Sequence, residues 1–490
     1  MNNIFDKLKN YSDSDYYAFH MPGHKRNLDL MDGTSPYRID ITEIDGFDDL
    51  HHAEGILRDA QERAARVYHA DETHFLVNGS TVGILSAILG TTEKGDSILV
   101  ARNCHKSVYH AIYLNELDPV YLYPKFDTEQ GLSTEIDAAD VQKALEEHPK
   151  IRAVMIVSPT YDGVVSDIEK IAEIVHAKGC PLIVDEAHGA HFGFDPYFPK
   201  SANIYGADLV INSLHKTLPA LTQTALLHVN GDMVKRRKVK QYLDMLQTSS
   251  PSYILMASID ACIGMLEETL ETHSDARSDY KYKNKNIFSE YANRIEALRK
   301  DLKRLKYLKI IQTDNTDRYD RSKFVISVKH APMSSHELYE ILLHRYHLQM
   351  EMLAGTYVLA MTTVGDTQEG LDRLRDALLE IDKEIDTRQG RPAAIETDLP
   401  LSGRQPALEK VWTIAEAVNR RDKIQKRSFE DSIGCISVEY AYLYPPGSPL
   451  IVPGERITKE AVEILHWYQK HDFSIEGLQT EDGIEVWIDG

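Results

Sequence analysis

The sequence predicts an α/β protein in three parts: a large domain on a mostly parallel sheet, a smaller α/β domain and a C-terminal cap. Three observations carry this expectation. From about residue 55 to 230, short apolar runs alternate with helical patterns, as in strands joined by crossover helices. A second, shorter series opens with the strand candidate Lys323–Val328 and ends near Thr387. Residues 388–406 are then rich in Arg, Pro, Gly and Thr, a linker ahead of the final stretch. At 490 residues the chain exceeds one ordinary domain. The expected partition is an arm over 1–35, a large domain over 36–280, a small domain over 281–387, the linker over 388–406 and a C-terminal domain over 407–490.

In chain order, the arm contains Phe19-His20-Met21-Pro22-Gly23-His24-Lys25, too rich in Pro, Gly and His for a regular element. The strand candidates of the large domain are Ser97–Ala101, Pro119–Tyr123, Ala153–Val157, Leu182–Asp185, Leu209–Asn212 and Ala225–Val229. One crossover helix reads in detail. Ser166 is its expected N-cap, with Glu169 three residues later completing a capping box. Ile168, Ile171, Ala172 and Val175 form one apolar face, and Gly179 ends it. A long amphipathic helix is expected over about 285–306, with Ile287, Tyr291, Ile295, Leu298, Leu302 and Leu305 as its stripe. The last stretch holds Tyr444-Pro445-Pro446-Gly447-Ser448-Pro449, and no internal repeat is visible.

Composition narrows the function. A net charge of −21 argues against a nucleic-acid partner, because phosphate contacts need basic surface. It is compatible with a small cationic substrate, although solubility alone accounts for most such charge. No apolar stretch is long enough to span a bilayer and no signal-peptide pattern is visible, so no membrane partner is expected and the expected location is the cytoplasm. Cys104, Cys180, Cys262 and Cys435 have no paired spacing, so neither disulfides nor a metal site is expected.

The chemistry concentrates in two runs. Pro181-Leu182-Ile183-Val184 delivers Asp185, heading Asp185-Glu186-Ala187-His188-Gly189. Asp208-Leu209-Val210-Ile211 delivers Ser213-Leu214-His215-Lys216, so Lys216 follows Asp185 by 31 residues. Both motifs fall just past the C-terminal ends of buried parallel strands, where open α/β sheets bind ligands. The pair suits pyridoxal phosphate: lysine supplies the amine for a Schiff base, and aspartate keeps the pyridinium nitrogen protonated so that the ring acts as an electron sink. Gly79, Ser80 and Thr81 open the apolar helix Val82–Leu89, where backbone N–H groups and the helix dipole favour a phosphate. As isolated N-cap residues they would be routine. Ser213 and His215 are positioned to donate to the same phosphate. His105 follows the strand Ser97–Ala101, where an imidazole can stack on a flat ring; His188 can hold the Asp185 carboxylate or shape the ring's other face. A lone histidine is more often structural. The turn Ser158-Pro159-Thr160-Tyr161-Asp162-Gly163 falls on the same sheet edge and is expected to approach the ring.

With these motifs assembled, the chain resembles the bacterial Orn/Lys/Arg decarboxylases of the fold-type-I, aspartate-aminotransferase-like class. The resemblance runs from Phe19 to Gly447 and is most specific in Pro22-Gly23-His24-Lys25, Asp49-Leu50-His51, Asp185–Gly189 and Ser213–Lys216. The chain looks like the short biosynthetic subclass that includes arginine decarboxylases. The resemblance implies that Lys216 carries the cofactor, Asp185 pairs with the ring nitrogen, His105 stacks on the ring, and Ser80, Thr81, Ser213 and His215 bind phosphate. It further implies a homodimer or higher oligomer in which a second subunit adds a phosphate contact, Ser249 or Ser250. One departure is Leu218-Pro219-Ala220-Leu221-Thr222-Gln223, which stands where glycines are frequent in relatives; Pro219 stiffens that loop.

The implied reaction is α-decarboxylation of a basic L-amino acid, arginine first, then lysine, then ornithine. Asp45, Asp48, Asp49 and Glu351 are candidates for the substrate's distal cation, and each is equally a surface or structural carboxylate. Lys216 or a histidine returns the proton to the α-carbon. Two rivals remain at this level. An aminotransferase would need an arginine for the α-carboxylate, for which Arg318 and Arg321 lie in a plausible region. A non-catalytic regulator with a pyridoxal phosphate domain is disfavoured by the intact Asp185 and Lys216 and by the lack of a basic patch.

Overall fold

A computed structural model describes residues 13–21, 23–25, 27, 39–271, 286–312, 316–387, 405–420, 423–444 and 447–488. Most of the expected arm, Pro22, residues 281–285, the linker up to residue 404 and the Pro445-Pro446 pair lie outside the described residues.

Seven strands form the central sheet: β1 (Glu72–Leu76), β2 (Ser97–Ala101), β3 (Asp118–Leu122), β4 (Ile151–Val157), β5 (Leu182–Asp185), β6 (Leu209–Asn212) and β7 (Ala225–Val229). Their order is β1-β7-β6-β5-β4-β2-β3. The neighbours from β6 to β3 are parallel, and β7 runs antiparallel to both β6 and β1. Asp185 is in register with Val157 on one side and Ile211 on the other, which brings the ends of β4, β5 and β6 to one edge. Strands β5, β6 and β7 are buried along their whole length, so they read as continuous apolar runs. Strand β1 was not among the expected strands.

The crossover helix spans Ile168–Ala177, and its N-cap is Asp167, not Ser166. The Asp167 carboxylate accepts the Lys170 N–H, while Ser166 Oγ accepts the N–H of Ile136 from a different segment. A distant backbone donor therefore outcompetes the local cap. Ile168, Ile171, Ala172 and Val175 are buried as expected. The expected 285–306 helix is Ile287–Leu302, capped by Asn286; its stripe from Tyr291 to Leu302 is buried, as is Leu305 beyond its end.

A four-stranded antiparallel sheet follows, from Lys309–Ile311, Lys323–Ser327, Tyr357–Met361 and Met352–Ala354 in that spatial order. The arm strand Tyr17–Phe19 pairs in parallel with Leu348–Met350. Lys25 Nζ donates to the carbonyls of His20 and Met361, both at 2.8 Å, and so fastens the arm to this sheet. One apolar cluster runs from the arm (Phe19) through the face of the large sheet (Phe75, Leu214) into the small unit (Phe324, Leu374). The C-terminal residues build two three-stranded antiparallel sheets and the helix Lys459–Lys470 around their own apolar cluster.

Candidate active site

Glu186 clamps the two strand-end motifs together. Its buried carboxylate accepts from Ser201 Oγ (2.8 Å), the Ala202 N–H (2.7 Å) and Asn212 Nδ2 (3.1 Å). Asn212 Nδ2 also donates to the Glu186 carbonyl at 3.0 Å. Burial pushes the Glu186 carboxyl up to about 7 against these donors. The ends of β5 and β6 are thereby locked side by side.

A cavity of about 350 Å3 opens at this edge, within the size range of small-molecule sites, roughly 300–1,000 Å3. Asp185, His188, Ser213, Lys216, His105, Ser80 and Thr81 all line it. Lys216 Nζ lies 3.1 Å from His188 Nε2. Asp185 Oδ1 accepts the Ala187 N–H at 3.1 Å. Burial raises the Asp185 carboxyl, with Lys216 pulling the other way, and burial lowers the Lys216 amine. The His188 imidazole is held well below its ordinary value by burial first and then by the charges of Lys216 and Lys323. The Tyr161 ring packs 4.5 Å from the His188 ring centroid. The His105 ring lines the cavity and is open to it. Burial, then the Lys216 charge, push it down to about 4. Its Nδ1 accepts the Ser107 N–H at 3.3 Å. Both histidines are therefore neutral near pH 7.

The donor set fits pyridoxal phosphate. A protonated ring nitrogen is the counter-charge that the buried Asp185 carboxyl calls for. Ser80 Oγ and Ser213 Oγ hydrogen-bond to each other at the start of the 13-residue helix Gly79–Thr91, whose first turn carries no acid. Two hydroxyls and a helix N-terminus make a phosphate seat. Gly79, with φ at +71°, stands just outside the cavity lining and donates its N–H to the Gln223 carbonyl at 3.0 Å. His215 also lies outside the lining. Its Nδ1 donates to the Thr224 carbonyl at 2.8 Å, so Nε2 is an acceptor unless the ring is protonated, and burial disfavours protonation. Ser249 and Ser250 are exposed and do not line this cavity. His51 Nε2 contacts the Thr248 carbonyl at 2.9 Å, which ties the Asp49-Leu50-His51 motif to the serine loop.

The arm motif has a structural reason to be there. Gly23 N–H donates to the His215 carbonyl at 2.7 Å, and a Cβ at Gly23 would meet the Leu218 backbone at 2.7 Å. Only glycine lets the arm approach the turn that carries Lys216 so closely.

Several expected acids serve the fold instead. Asp48 accepts four backbone N–H groups, from Asp49, Glu54, Gly55 and Leu57, and Asp49 accepts the His51 N–H. Asp45 is exposed. Glu351 accepts the Met21 N–H at 2.7 Å and the Tyr161 hydroxyl. Among the described residues, the carboxylates lining the cavity are Asp185 and Asp162. Asp162, buried and bonded to the Tyr357 hydroxyl at 2.6 Å, was named in the sequence only as part of a turn. Lys323, whose Nζ lies 3.3 Å from His188 Nδ1, was not foreseen; its signal was a lysine leading an otherwise apolar strand. No arginine lines the cavity among the described residues. Arg318 pairs with Asp167, and Arg321 stacks over Tyr197 at 3.9 Å.

A mostly parallel sheet with an aspartate and a lysine at adjoining strand ends, a smaller α/β unit behind them and a serine-lined helix start define a fold-type-I, pyridoxal-phosphate-dependent enzyme. The Orn/Lys/Arg decarboxylase major domain matches residues 2–333, and the C-terminal domain of the same family matches residues 404–486. The chain belongs to this family of amino-acid decarboxylases. It is 36% identical over 470 residues to the uncharacterized protein YaaO of Bacillus subtilis, covering 94% of this chain and 93% of that one. It is 31% identical over 471 residues to the arginine decarboxylase of Bacillus subtilis, covering 94% and 92%. The crystal structure of the Francisella novicida lysine decarboxylase LdcF superposes with a TM-score of 0.77 at 19% identity, covering 99% of this chain and 80% of that one, which shows the shared fold.

Proposed function

We propose that this chain catalyses pyridoxal-phosphate-dependent α-decarboxylation of a basic L-amino acid, with arginine preferred, lysine second and ornithine third, giving CO2 and an amine that is a polyamine precursor. The observation that carries the reading is the lining of one cavity by Lys216, Asp185, the Ser80–Ser213 hydroxyl pair and a second buried carboxyl, Asp162, without an arginine among the described residues. The arginine-decarboxylase relative at 31% identity supports the substrate order.

Pyridoxal phosphate, when bound, supplies the protonated ring that takes up the electron pair left as CO2 departs. Lys216 provides the amine that attaches it. Asp185 holds the ring nitrogen's proton. Ser80, Thr81 and Ser213 would hold the phosphate, and His105, kept neutral, would be the residue available to stack on the ring. The α-carboxylate meets no guanidinium clamp in this cavity, which suits a group that must leave and disfavours transamination. Asp162 presents an acceptor for the substrate's distal cation, held by the Tyr357 hydroxyl so that one oxygen remains for a donor. A guanidinium is well matched to carboxylate recognition. One proton then goes to the α-carbon, from Lys216 or His188. The active unit is a homodimer in which Ser249 or Ser250 reaches the neighbouring site.

The deciding measurement is CO2 release, with product identified, from L-arginine, L-lysine and L-ornithine in turn. Arginine is expected to be fastest. A keto-acid product with no CO2 would overturn the proposal in favour of transamination.

A further inference from the structure

Lys323 is fully buried at the head of Lys323–Ser327, followed by Phe324, Val325 and Ile326, which are equally inaccessible. A buried ammonium is costly unless something compensates it. Room for this side chain is made by Gly163, where φ is +101° and a Cβ would meet Lys323 Cγ at 2.9 Å. Lys323 Nζ lies 3.3 Å from His188 Nδ1, and His188 Nε2 lies 3.1 Å from Lys216 Nζ. Two lysines, one in the turn of helix past β6 and one heading a strand of the small sheet, thus sit on the two nitrogens of one buried imidazole.

A neutral imidazole has one N–H and one lone pair. Both lysines cannot donate into it, so one must be a neutral amine that accepts. The surrounding charges decide which. Asp320, Asp162 and Glu351 act on Lys323, although Asp320 Oδ1 is bonded to His191 (3.1 Å) and the Ser322 N–H (3.0 Å). Lys25 opposes them. Lys216 has Asp185, which also accepts the Ala187 N–H, and the shared Glu351. His105 feels the Lys216 charge from the cavity side. More negative charge is therefore left to Lys323.

We propose that Lys323 is a positioning residue: as the ammonium it donates into His188 Nδ1, fixes the Nε2–H tautomer, and so aims a donor at Lys216 that holds it as the neutral, nucleophilic amine. Burial and the neighbouring lysine charges lower Lys323 to about 8, so it remains mostly protonated at neutral pH. The inference rests on Lys216 as the reactive amine of the proposed function, but its test needs no turnover.

The test uses the full-length chain freed of cofactor, with return of visible absorbance on adding pyridoxal phosphate as proof that the site survives. Trace acetic anhydride labels lysines across a pH series, and mass spectrometry of the Lys216 peptide gives the midpoint of its reactivity. The wild-type midpoint should lie well below that of an ordinary lysine. Lys323→Met and Lys323→Gln should raise it by about one pH unit, tenfold in the amine-to-ammonium ratio. Lys323→Arg keeps the charge and should keep the low midpoint. In a His188→Ala background, Lys323→Met should change the ratio less than about twofold. Equal shifts with and without His188 would overturn the relay through the imidazole. So would unmoved midpoints in both neutral variants. A wild-type midpoint at the ordinary lysine value would overturn it without any variant having to fold.

Discussion

The guanidinium of Arg102 and the carboxylate of Glu455 meet at 3.0 Å with neither side chain accessible to solvent. Arg102 follows β2 and leads into Asn103, Cys104 and His105, which line the cavity; Glu455 lies in the C-terminal unit, between the strand Ser448–Ile451 and the helix Lys459–Lys470. Arg102 also donates to the Leu450 carbonyl, and Glu455 accepts the Val452 N–H. The C-terminal unit thus reaches the site through a buried charge pair as well as through Leu443, Ser448 and Tyr468 at the cavity wall. Removing one partner leaves the other charge buried and uncompensated. Glu455→Ala should therefore cost about 3–5 kcal/mol in denaturant unfolding. A cost below about 1 kcal/mol would mean that the cavity side of this interface is wet and the pair dispensable.

Lys216→Ala should abolish CO2 release and the visible absorbance of the bound cofactor while circular dichroism stays unchanged. The side chain faces the cavity, and its removal opens no hole in the apolar clusters. Decarboxylation at the wild-type rate would sink the functional reading as a whole.

Asp185→Asn should leave pyridoxal phosphate bound, because the phosphate donors are untouched, yet slow the rate by orders of magnitude. An amide cannot hold the ring proton in place. A loss under about tenfold, 1.4 kcal/mol of barrier, would remove Asp185 from that role.

The catalytic pair was legible because buried parallel strands are uninterrupted apolar runs, so β5 and β6 announced their own ends and the residues just beyond them. Strand β1 was not, since it reads Glu-Thr-His-Phe-Leu; its polar Thr73 is satisfied by His228 of β7 at 2.8 Å, a partner 155 residues away. The Ser166 cap failed for the same reason: both Ser166 and Asp167 can cap, and the Ile136 N–H decided between them. Asp162 and Lys323 share that character. The turn carrying Asp162 was expected near the ring and Lys323 heads an apolar run, but what each does comes from Tyr357 and His188, brought next to them only by the fold.

Asp162 gives a pH-dependent test. Burial pushes its carboxyl up to about 6, against the Tyr357 bond and Lys323. The folded state then binds this proton more tightly than the unfolded state. The associated stability is present below about pH 4 and lost as pH rises through about 6. Asp162→Asn should accordingly stabilise the fold at pH 7 by on the order of 1–3 kcal/mol, a gain that fades by pH 4. The same variant should raise KM for the basic amino acid far more than it lowers kcat, and wild-type kcat/KM should fall below about pH 6. Unchanged KM with the stability gain intact would make Asp162 structural only.

Ser249 and Ser250, which the proposed dimer would bring to the neighbouring site, are exposed on a single chain and carry hydroxyls suited to phosphate. If they act in the neighbouring site, Ser249→Ala/Ser250→Ala should weaken cofactor binding without disturbing Lys216. Mixing that double variant with Lys216→Ala, at a cofactor concentration too low to saturate the double variant, should then raise activity above that of either alone. A mixed dimer carries one site with both defects and one with neither, so activity should return to a fraction of wild type. No recovery, once subunit exchange is demonstrated by differently tagged chains, would place these serines within their own chain's site or outside any site.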